Sequence, residues 1–192
     1  MGSAASPAQF PKDGLPEVAF LGRSNVGKSS LLNALTGAHG LARVSATPGR
    51  TRLVNFFRVG DLLYLADLPG YGYARVPDAE HSGWETLITS YLLGRAPLAL
   101  CVFLVDLRHQ PGQGDEMLRA FLLEHALPWV LVGTKADKLG RAEVARQKKA
   151  LLQGIGTGAR TVMTASAETG AGMDELWRVV RQAALDRREG VA

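Results

Sequence analysis

The chain has 192 residues, a formal net charge of +4 and a hydrophobic fraction of 46%, which suits one domain with a sizeable core. Its apolar runs are too short to span a bilayer, so we expect no membrane partner, and its one cysteine excludes an intramolecular disulfide. The positive charge is mild, so it permits attraction to RNA without requiring it.

Residues 1–14 are mostly small and polar, and the sequence predicts that they form a disordered tail. A single domain is predicted over residues 15–188, followed by a short C-terminal tail over residues 189–192. Within the domain, strand-like runs alternate with helical runs, which is typical of an α/β fold with a mostly parallel sheet and helices on both faces. Six strands are predicted, near residues 17–22, 53–58, 61–66, 98–106, 128–133 and 160–164. Five helices are predicted, near residues 28–37, 82–95, 114–126, 140–153 and 172–188.

Two local patterns refine this sheet. The second and third predicted strands are joined by Val59-Gly60, which predicts an antiparallel hairpin and gives the sheet one antiparallel edge strand. The run over residues 98–105 is apolar without alternation, as expected for a strand covered on both faces. Cys101 lies in this run and is predicted to fill the core, which fits the reducing conditions of the cytoplasm.

The first predicted strand runs directly into a G-x-x-x-x-G-K-S loop that opens the first helix. Strand, tight loop and helix is the context in which this pattern binds phosphates, so a coincidental glycine-rich turn is disfavoured. Glycine lets the backbone close around an anion, and the loop N–H groups and the helix N-terminus then face the phosphates. Lys28 is predicted to reach the β- and γ-phosphates, and the Ser29 hydroxyl to bind Mg²⁺. The predicted phosphate-binding residues are Gly22, Arg23, Ser24, Asn25, Val26, Gly27, Lys28 and Ser29.

The third predicted strand is followed directly by Asp67, Leu68, Pro69 and Gly70. Asp67 can hold Mg²⁺ through a water molecule, and the Gly70 N–H can meet the γ-phosphate, so this segment would sense whether that phosphate is present. A simple Pro-Gly turn is the alternative, and the position directly after a strand favours the functional interpretation.

A phosphate loop alone does not distinguish ATP from GTP, but a loop later in the chain can make that distinction. Thr134, Lys135, Ala136 and Asp137 follow the apolar run 129–133, at the strand end where open α/β sheets bind ligands. The Asp137 carboxylate can accept from both N1–H and the 2-amino group of guanine, whereas adenine offers neither donor there. The Lys135 stem can lie along the purine face. A solvated turn is the alternative, disfavoured beside a phosphate loop.

Two further segments are less specific. Thr47 and Thr51 both lie between the phosphate loop and the second strand, and each could supply the second hydroxyl ligand of Mg²⁺ or be an ordinary loop threonine. The loop Ala165, Ser166 and Ala167 follows the last predicted strand, and its N–H groups could approach guanine O6.

Three stretches together resemble the EngB-type bacterial GTPases, which belong to the Ras-like, translation-factor-related class. They are Gly-Arg-Ser-Asn-Val-Gly-Lys-Ser at 22–29, Thr-Pro-Gly-Arg-Thr at 47–51 before Asn-Phe-Phe at 55–57, and Asp-Leu-Pro-Gly-Tyr-Gly-Tyr-Ala at 67–74. The resemblance runs from about Pro16 to about Arg187 and implies a Ras-like P-loop GTPase domain.

The resemblance also implies a function. Members of the family hydrolyse GTP to GDP and phosphate as molecular switches, assist assembly of the large ribosomal subunit and are needed for normal growth and cell division. Their magnesium threonine maps to Thr51, which joins Lys28 and Gly70 as an implied catalytic residue. The 165–167 loop departs from the usual Phe-Ser-Ser-like triplet at its first and last positions. Nucleotide contacts are further implied for Gly49, Arg50, Thr51, Arg52 and Leu53.

Ras-like enzymes carry a water-orienting glutamine just after D-x-x-G, where this chain has Tyr71. We therefore expect slow unassisted hydrolysis, at about 10⁻⁴ to 10⁻² per second.

In some related GTPases an asparagine at the position of Asn25 holds K⁺, which supplies the charge of an arginine finger; a loop-stabilising asparagine is the alternative. Arg75 could also approach the phosphates or be a solvated loop residue. We expect loops 38–52 and 68–81 to be ordered by GTP and Mg²⁺. The ordered loops could then present Tyr71, Tyr73 and Trp84 to a partner. For Trp84, packing on the neighbouring helix is the alternative.

Basic residues cluster on the last two predicted helices and could be solvated faces or contacts for ribosomal RNA phosphates. They are Arg141, Arg146, Lys148 and Lys149, and Arg178, Arg181, Arg187 and Arg188. The leading interpretation is a cytoplasmic, monomeric GTPase with Mg²⁺, acting on the large ribosomal subunit. A nucleotide-sensing binding module with incidental hydrolysis is the second, and a P-loop kinase is disfavoured by the two downstream loops.

Overall fold

A computed structural model describes residues 2–37, 53–71 and 78–190, without the side chains of residues 78–85. The described strands are β1 (Gly2–Ala4), β2 (Glu17–Gly22), β3 (Val54–Val59), β4 (Leu63–Asp67), β5 (Leu98–Asp106), β6 (Trp129–Thr134) and β7 (Val162–Thr164). The described helices are α1 (Lys28–Thr36), α2 (Asp78–Gly94), α3 (Gln113–Glu124), α4 (Arg141–Gln153) and α5 (Met173–Glu189). The elements alternate as the sequence predicts, although α2 begins earlier than residue 82 and β7 is shorter than predicted.

The strands form one sheet in the order β1-β3-β4-β2-β5-β6-β7. Strands β4, β2, β5, β6 and β7 are parallel, whereas β3 is antiparallel to both β1 and β4. The predicted α/β fold and the β3–β4 hairpin are therefore confirmed. The hairpin turns at Gly60, whose φ of 52° lies in the left-handed region that glycine adopts without steric cost.

The sheet has seven strands in the described residues, which corrects the prediction of six, and the additional strand comes from residues predicted to be a disordered tail. Gly2–Ala4 pairs with β3 at the sheet edge, and Ala4 is fully buried. Phe10 is 6% exposed and packs its ring against Phe56 and Tyr91, at centroid distances of 5.7 and 5.4 Å. Burial of this one aromatic side chain explains why a small, polar segment packs on the domain.

Helices cover both faces of the sheet, as predicted. Consecutive side chains of β5 point to opposite faces, so Phe103 packs in a core beneath α2, α3 and α4, whereas Leu104 packs beneath α1 and α5. Cys101 is fully buried, as predicted. Because the parallel strands end at one edge of the sheet, the loops that follow β2, β4, β5, β6 and β7 lie together there.

Candidate functional site

The phosphate loop, residues 23–27, joins β2 to α1 and has a backbone that few side chains would permit. Gly27 has a φ of 101° and Asn25 a φ of 64°, both in the left-handed region. At Gly22 a Cβ atom would lie 2.8 Å from the Leu104 carbonyl oxygen, so the close approach of β2 to β5 requires glycine. The loop thus places the N-terminus of α1, with Lys28 and Ser29 in its first turn, at the carboxyl edge of the sheet.

Lys28 and Asp67 form an ion pair across the phosphate loop. The Lys28 Nζ donates to Asp67 Oδ1, and the two side chains are only 11% and 7% exposed. Ser29 is half-buried one residue further along α1. The Ser29 hydroxyl and the Asp67 carboxylate are oxygen donors of the kind that Mg²⁺ prefers, so the donor set fits the predicted metal. Within the described residues no cluster of three or more His, Cys, Asp and Glu side chains could hold a metal.

The segment after β4 lies directly on the phosphate loop. Leu68 N donates to the Phe20 carbonyl of β2, which extends the pairing of the two strands. Gly70 faces Ser24 so closely that a Cβ at Gly70 would lie 3.0 Å from the Ser24 nitrogen. The predicted γ-phosphate sensor and the phosphate loop are therefore in contact, and the absence of a side chain at Gly70 makes that contact possible.

The predicted guanine loop also contacts the phosphate loop. Thr134 is 2% exposed, and its hydroxyl donates to the Val26 carbonyl at 2.6 Å and lies 3.1 Å from the Val105 carbonyl. Lys135, with a φ of 59°, sends its ammonium group back to donate to the Asn25 carbonyl at 2.7 Å. These contacts fix the 134–137 loop relative to residues 23–27, so the two ends of the predicted nucleotide site are held together.

Asp106, at the end of β5, contacts the 134–137 loop and was not predicted from the sequence as a site residue. Its carboxylate lies 2.9 Å from Lys135 Nζ and accepts from the Arg108 guanidinium at 2.8 Å. Burial alone would raise the pKa of Asp106, but the hydrogen bonds from Arg108 and Lys135 hold it well below the usual value. The signal that could have found Asp106 is its position: it ends an apolar strand at the same sheet edge as Asp67 and Thr134.

Asp137 and the 165–167 loop meet at the far end of the site. Ser166 is 1% exposed, donates to Asp137 Oδ1 at 2.6 Å and accepts from the Glu168 and Thr169 N–H groups. Ala136 N donates to the Ala165 carbonyl at 3.3 Å, and Ala167 is partly buried beside them. The hydrogen bond from Ser166, followed by that from Lys138, lowers the pKa of Asp137, so this carboxylate is ionised at neutral pH.

For the remaining predicted residues, the described part of the chain shows no contact with the site. Leu53 directly precedes β3 and is 36% exposed. Trp84 lies in α2, but its side chain is not described. The residues that lie outside the described part of the chain are Thr47, Gly49, Arg50, Thr51, Arg52, Tyr73 and Arg75. No helix in the described residues is long and apolar enough to cross a membrane.

Comparison with known proteins relates this chain to one family. A family model described as 50S ribosome-binding GTPase matches residues 17–135, more than half of the chain. A probable GTP-binding protein EngB from Symbiobacterium thermophilum is 42% identical, over 96% of this chain and 94% of the relative. The corresponding protein from Chlorobaculum parvum is 47% identical, over 87% of this chain and 86% of the relative.

Solved structures share the fold. A crystal structure of a probable GTP-binding protein EngB matches with a TM-score of 0.72 and 23% identity, over 88% of this chain and 99% of that chain. A variant of Era from Aquifex aeolicus, bound to GDP and AlF4, matches with a TM-score of 0.71 and 25% identity, over 87% of this chain and 56% of that chain.

Proposed function

The chain belongs to the EngB family of GTP-binding proteins and is a GTPase, and we propose that it acts as a GTP-dependent switch in assembly of the large ribosomal subunit. The observation that carries the ribosomal part is the match of residues 17–135 to a family described as 50S ribosome-binding. In this proposal the protein works in the cytoplasm as a monomer, and its role supports normal growth and cell division.

The nucleotide is proposed to lie along the carboxyl edge of the sheet, between Lys28 and Asp137. The phosphate end is complementary to the Lys28 ammonium group and to the N–H groups at the start of α1. The base end is complementary to Asp137, whose carboxylate accepts from N1–H and the 2-amino group of guanine. Lys135 would cover the purine, because its ammonium group is already fixed on the Asn25 carbonyl at 2.7 Å.

Magnesium is proposed to be held by the hydroxyls of Ser29 and Thr51, with Asp67 acting through a water molecule. When bound, Mg²⁺ neutralises charge on the β- and γ-phosphates. The side chain of Lys28 would exchange its present partner, Asp67, for phosphate oxygens. Gly49, Arg50, Arg52 and Leu53 are proposed as further nucleotide contacts from the family resemblance.

Hydrolysis without a partner is proposed to be slow, because Tyr71 stands where related enzymes orient water with glutamine. A K⁺ ion beside Asn25 is proposed to raise the rate. The test measures phosphate release in KCl and NaCl at equal ionic strength, for the unchanged protein and for Asn25→Ala. A higher rate in KCl that the variant loses supports the K⁺ site, and equal rates in both salts contradict it.

The ribosomal contact is proposed to involve the basic face of α4, where Lys148 and Lys149 are exposed. Ribosomal particles are pulled down with the protein in the presence of GDP, a GTP analogue or no nucleotide. Lys148→Gln and Lys149→Gln should weaken the interaction and reduce its salt dependence, whereas the matched control Lys12→Gln, an exposed lysine of the N-terminal segment, should not.

The alternative is a nucleotide-sensing module whose hydrolysis is incidental. The discriminating measurement is GTP turnover with and without ribosomal particles. Stimulated turnover supports the switch, whereas nucleotide-dependent binding with unstimulated turnover supports the sensing module. An absence of binding to ribosomal particles in all three nucleotide states contradicts the ribosomal proposal.

A further inference from the structure

Tyr71 connects the segment after β4 to the start of α3. Its hydroxyl donates to Asp115 Oδ1 at 2.6 Å, and the two residues are 44 positions apart in the chain. Asp115 is 2% exposed, and its other oxygen accepts from the Gly112 N–H at 2.7 Å, so both carboxylate oxygens have partners. The Tyr71 ring lies against Gly114, where a Cβ atom would stand 3.0 Å from ring carbon Cδ2.

The backbone of Tyr71 is paired with the phosphate loop at the same time. Ser24 N donates to the Tyr71 carbonyl at 3.0 Å, and Tyr71 N lies 3.4 Å from the Gly22 carbonyl. One residue thus joins three parts of the molecule: the end of β2, the segment that follows β4, and the N-terminus of α3. Each contact restricts where the neighbouring Gly70 N–H can stand.

This arrangement occupies one N–H donor of the phosphate loop and one donor of the lysine that follows the loop. The Ser24 N–H is bonded to Tyr71, and the Lys28 ammonium group is bonded to Asp67. A terminal phosphate that accepted from the Ser24 N–H would have to displace the Tyr71 carbonyl and, with it, the 67–71 segment. Contacts that hold the 67–71 segment on the phosphate loop therefore weaken binding of the γ-phosphate, and loss of those contacts strengthens it.

We propose that Tyr71 is a positioning residue that sets the preference of the protein between GTP and GDP. Its hydrogen bond to Asp115 holds the 67–71 segment on the phosphate loop, where the Tyr71 carbonyl occupies the Ser24 N–H and competes with the γ-phosphate for that donor. The binding of GTP therefore works against the Tyr71–Asp115 contact, and α3 is coupled to the nucleotide state through Asp115.

The test measures dissociation constants of GDP and of a non-hydrolysable GTP analogue by calorimetry. Tyr71→Phe removes the hydroxyl and takes from a buried oxygen of Asp115 the side-chain donor that it has in the described residues. The GTP analogue should therefore bind about three- to tenfold more tightly, while GDP binding changes less than about twofold. The matched control is Tyr64→Phe, which removes a similar hydrogen bond, 3.0 Å from Tyr64 to Asp13, elsewhere on the sheet and should leave both constants unchanged.

A second variant, at Gly114, changes the same contact and leaves the Tyr71 hydroxyl in place. Gly114→Ala places a methyl group against the Tyr71 ring and, since alanine favours helices, does not depend on a destabilised fold. It should change the ratio of the two dissociation constants in the same direction as Tyr71→Phe. A ratio that stays constant in both variants, that changes equally in the Tyr64→Phe control, or that moves towards GDP would overturn the proposal.

Discussion

The ammonium group of Lys135 lies 2.9 Å from the Asp106 carboxylate and donates to the Asn25 carbonyl at 2.7 Å. One side chain therefore joins the end of β5, the loop after β6 and the phosphate loop. The Lys135 side chain is 27% exposed and that of Asp106 is 12% exposed, so the pair is partly shielded from solvent. Such a pair fixes the direction of the lysine stem better than a solvated pair would.

Asp106→Asn should weaken binding of GDP and GTP alike, by about five- to tenfold, because Lys135 loses its charged partner and is no longer held along the purine face. The catalytic rate at saturating GTP should remain unchanged, since the Asp106 side chain bonds Lys135 and Arg108, which are not among the residues proposed to hold the phosphates or Mg²⁺. Fluorescent-nucleotide titration and single-turnover hydrolysis measure the two effects. Asp61→Asn, which alters an exposed carboxylate in the β3–β4 turn, is the control. Unchanged nucleotide affinity in Asp106→Asn would contradict this role.

The sequence predicted most of the fold because the signals were local. Continuous apolar runs identified β5 and β6, and the topology of parallel strands placed the loops after them at one edge. Asp67, Thr134 and the phosphate loop meet there for this reason. The same rule applied to Asp106 would have added it to the site.

Other features depend on contacts between distant parts of the chain. The N-terminal segment packs on the domain through Phe10, whose partners Phe56 and Tyr91 lie in β3 and α2. A short polar stretch gives no sign of such a partner. The hydrogen bond between Tyr71 and Asp115 could not be predicted from the sequence either, because two polar side chains 44 positions apart form no sequence pattern.

Asp137→Asn should change the base that the protein recognises. The variant amide presents a donor where guanine offers its 2-amino group, so GTP affinity should fall at least about 100-fold. Xanthosine triphosphate carries an oxygen at that ring position, which the amide can donate to, so its affinity should rise. Ser166 can still donate to the new side-chain oxygen, which keeps the loop in place. Competition titrations with both nucleotides measure the effect, and an undiminished preference for GTP would argue against Asp137 as the guanine contact.

Arg95→Met should destabilise the fold through Glu17, which is fully buried at the start of β2. Arg95 pairs with Glu17, bonds the Pro11 carbonyl, and stands 5.5 Å from the centre of the Phe10 ring. Loss of the guanidinium leaves a buried carboxylate that keeps Tyr91 as its side-chain donor within the described residues, so the free energy of unfolding should fall by about 3 to 5 kcal/mol. Urea denaturation followed by circular dichroism measures it.

Two further variants separate charge burial from lost packing. Adding Glu17→Gln to Arg95→Met removes the uncompensated charge and should restore part of the stability. Arg58→Met breaks the solvent-exposed pair with Asp61 and should have little effect. If Arg95→Met were no less stable than Arg58→Met, the buried pair would not support the fold.

Cys101 should make the stability of the protein depend on alkaline pH. Burial raises the pKa of its thiol from 9.0 to about 12, so above pH 9 the thiol loses its proton in the unfolded chain before it does so in the folded protein. The unfolded state then binds fewer protons, so the free energy of unfolding falls by about 1 kcal/mol between pH 9 and pH 10 from this group. Cys101→Ala should lower stability at every pH through lost packing, yet show a shallower decline between pH 9 and pH 10. Urea denaturation at pH 8, 9 and 10 gives both slopes, and because the tyrosines titrate in both proteins, equal slopes would show that the thiol makes no contribution.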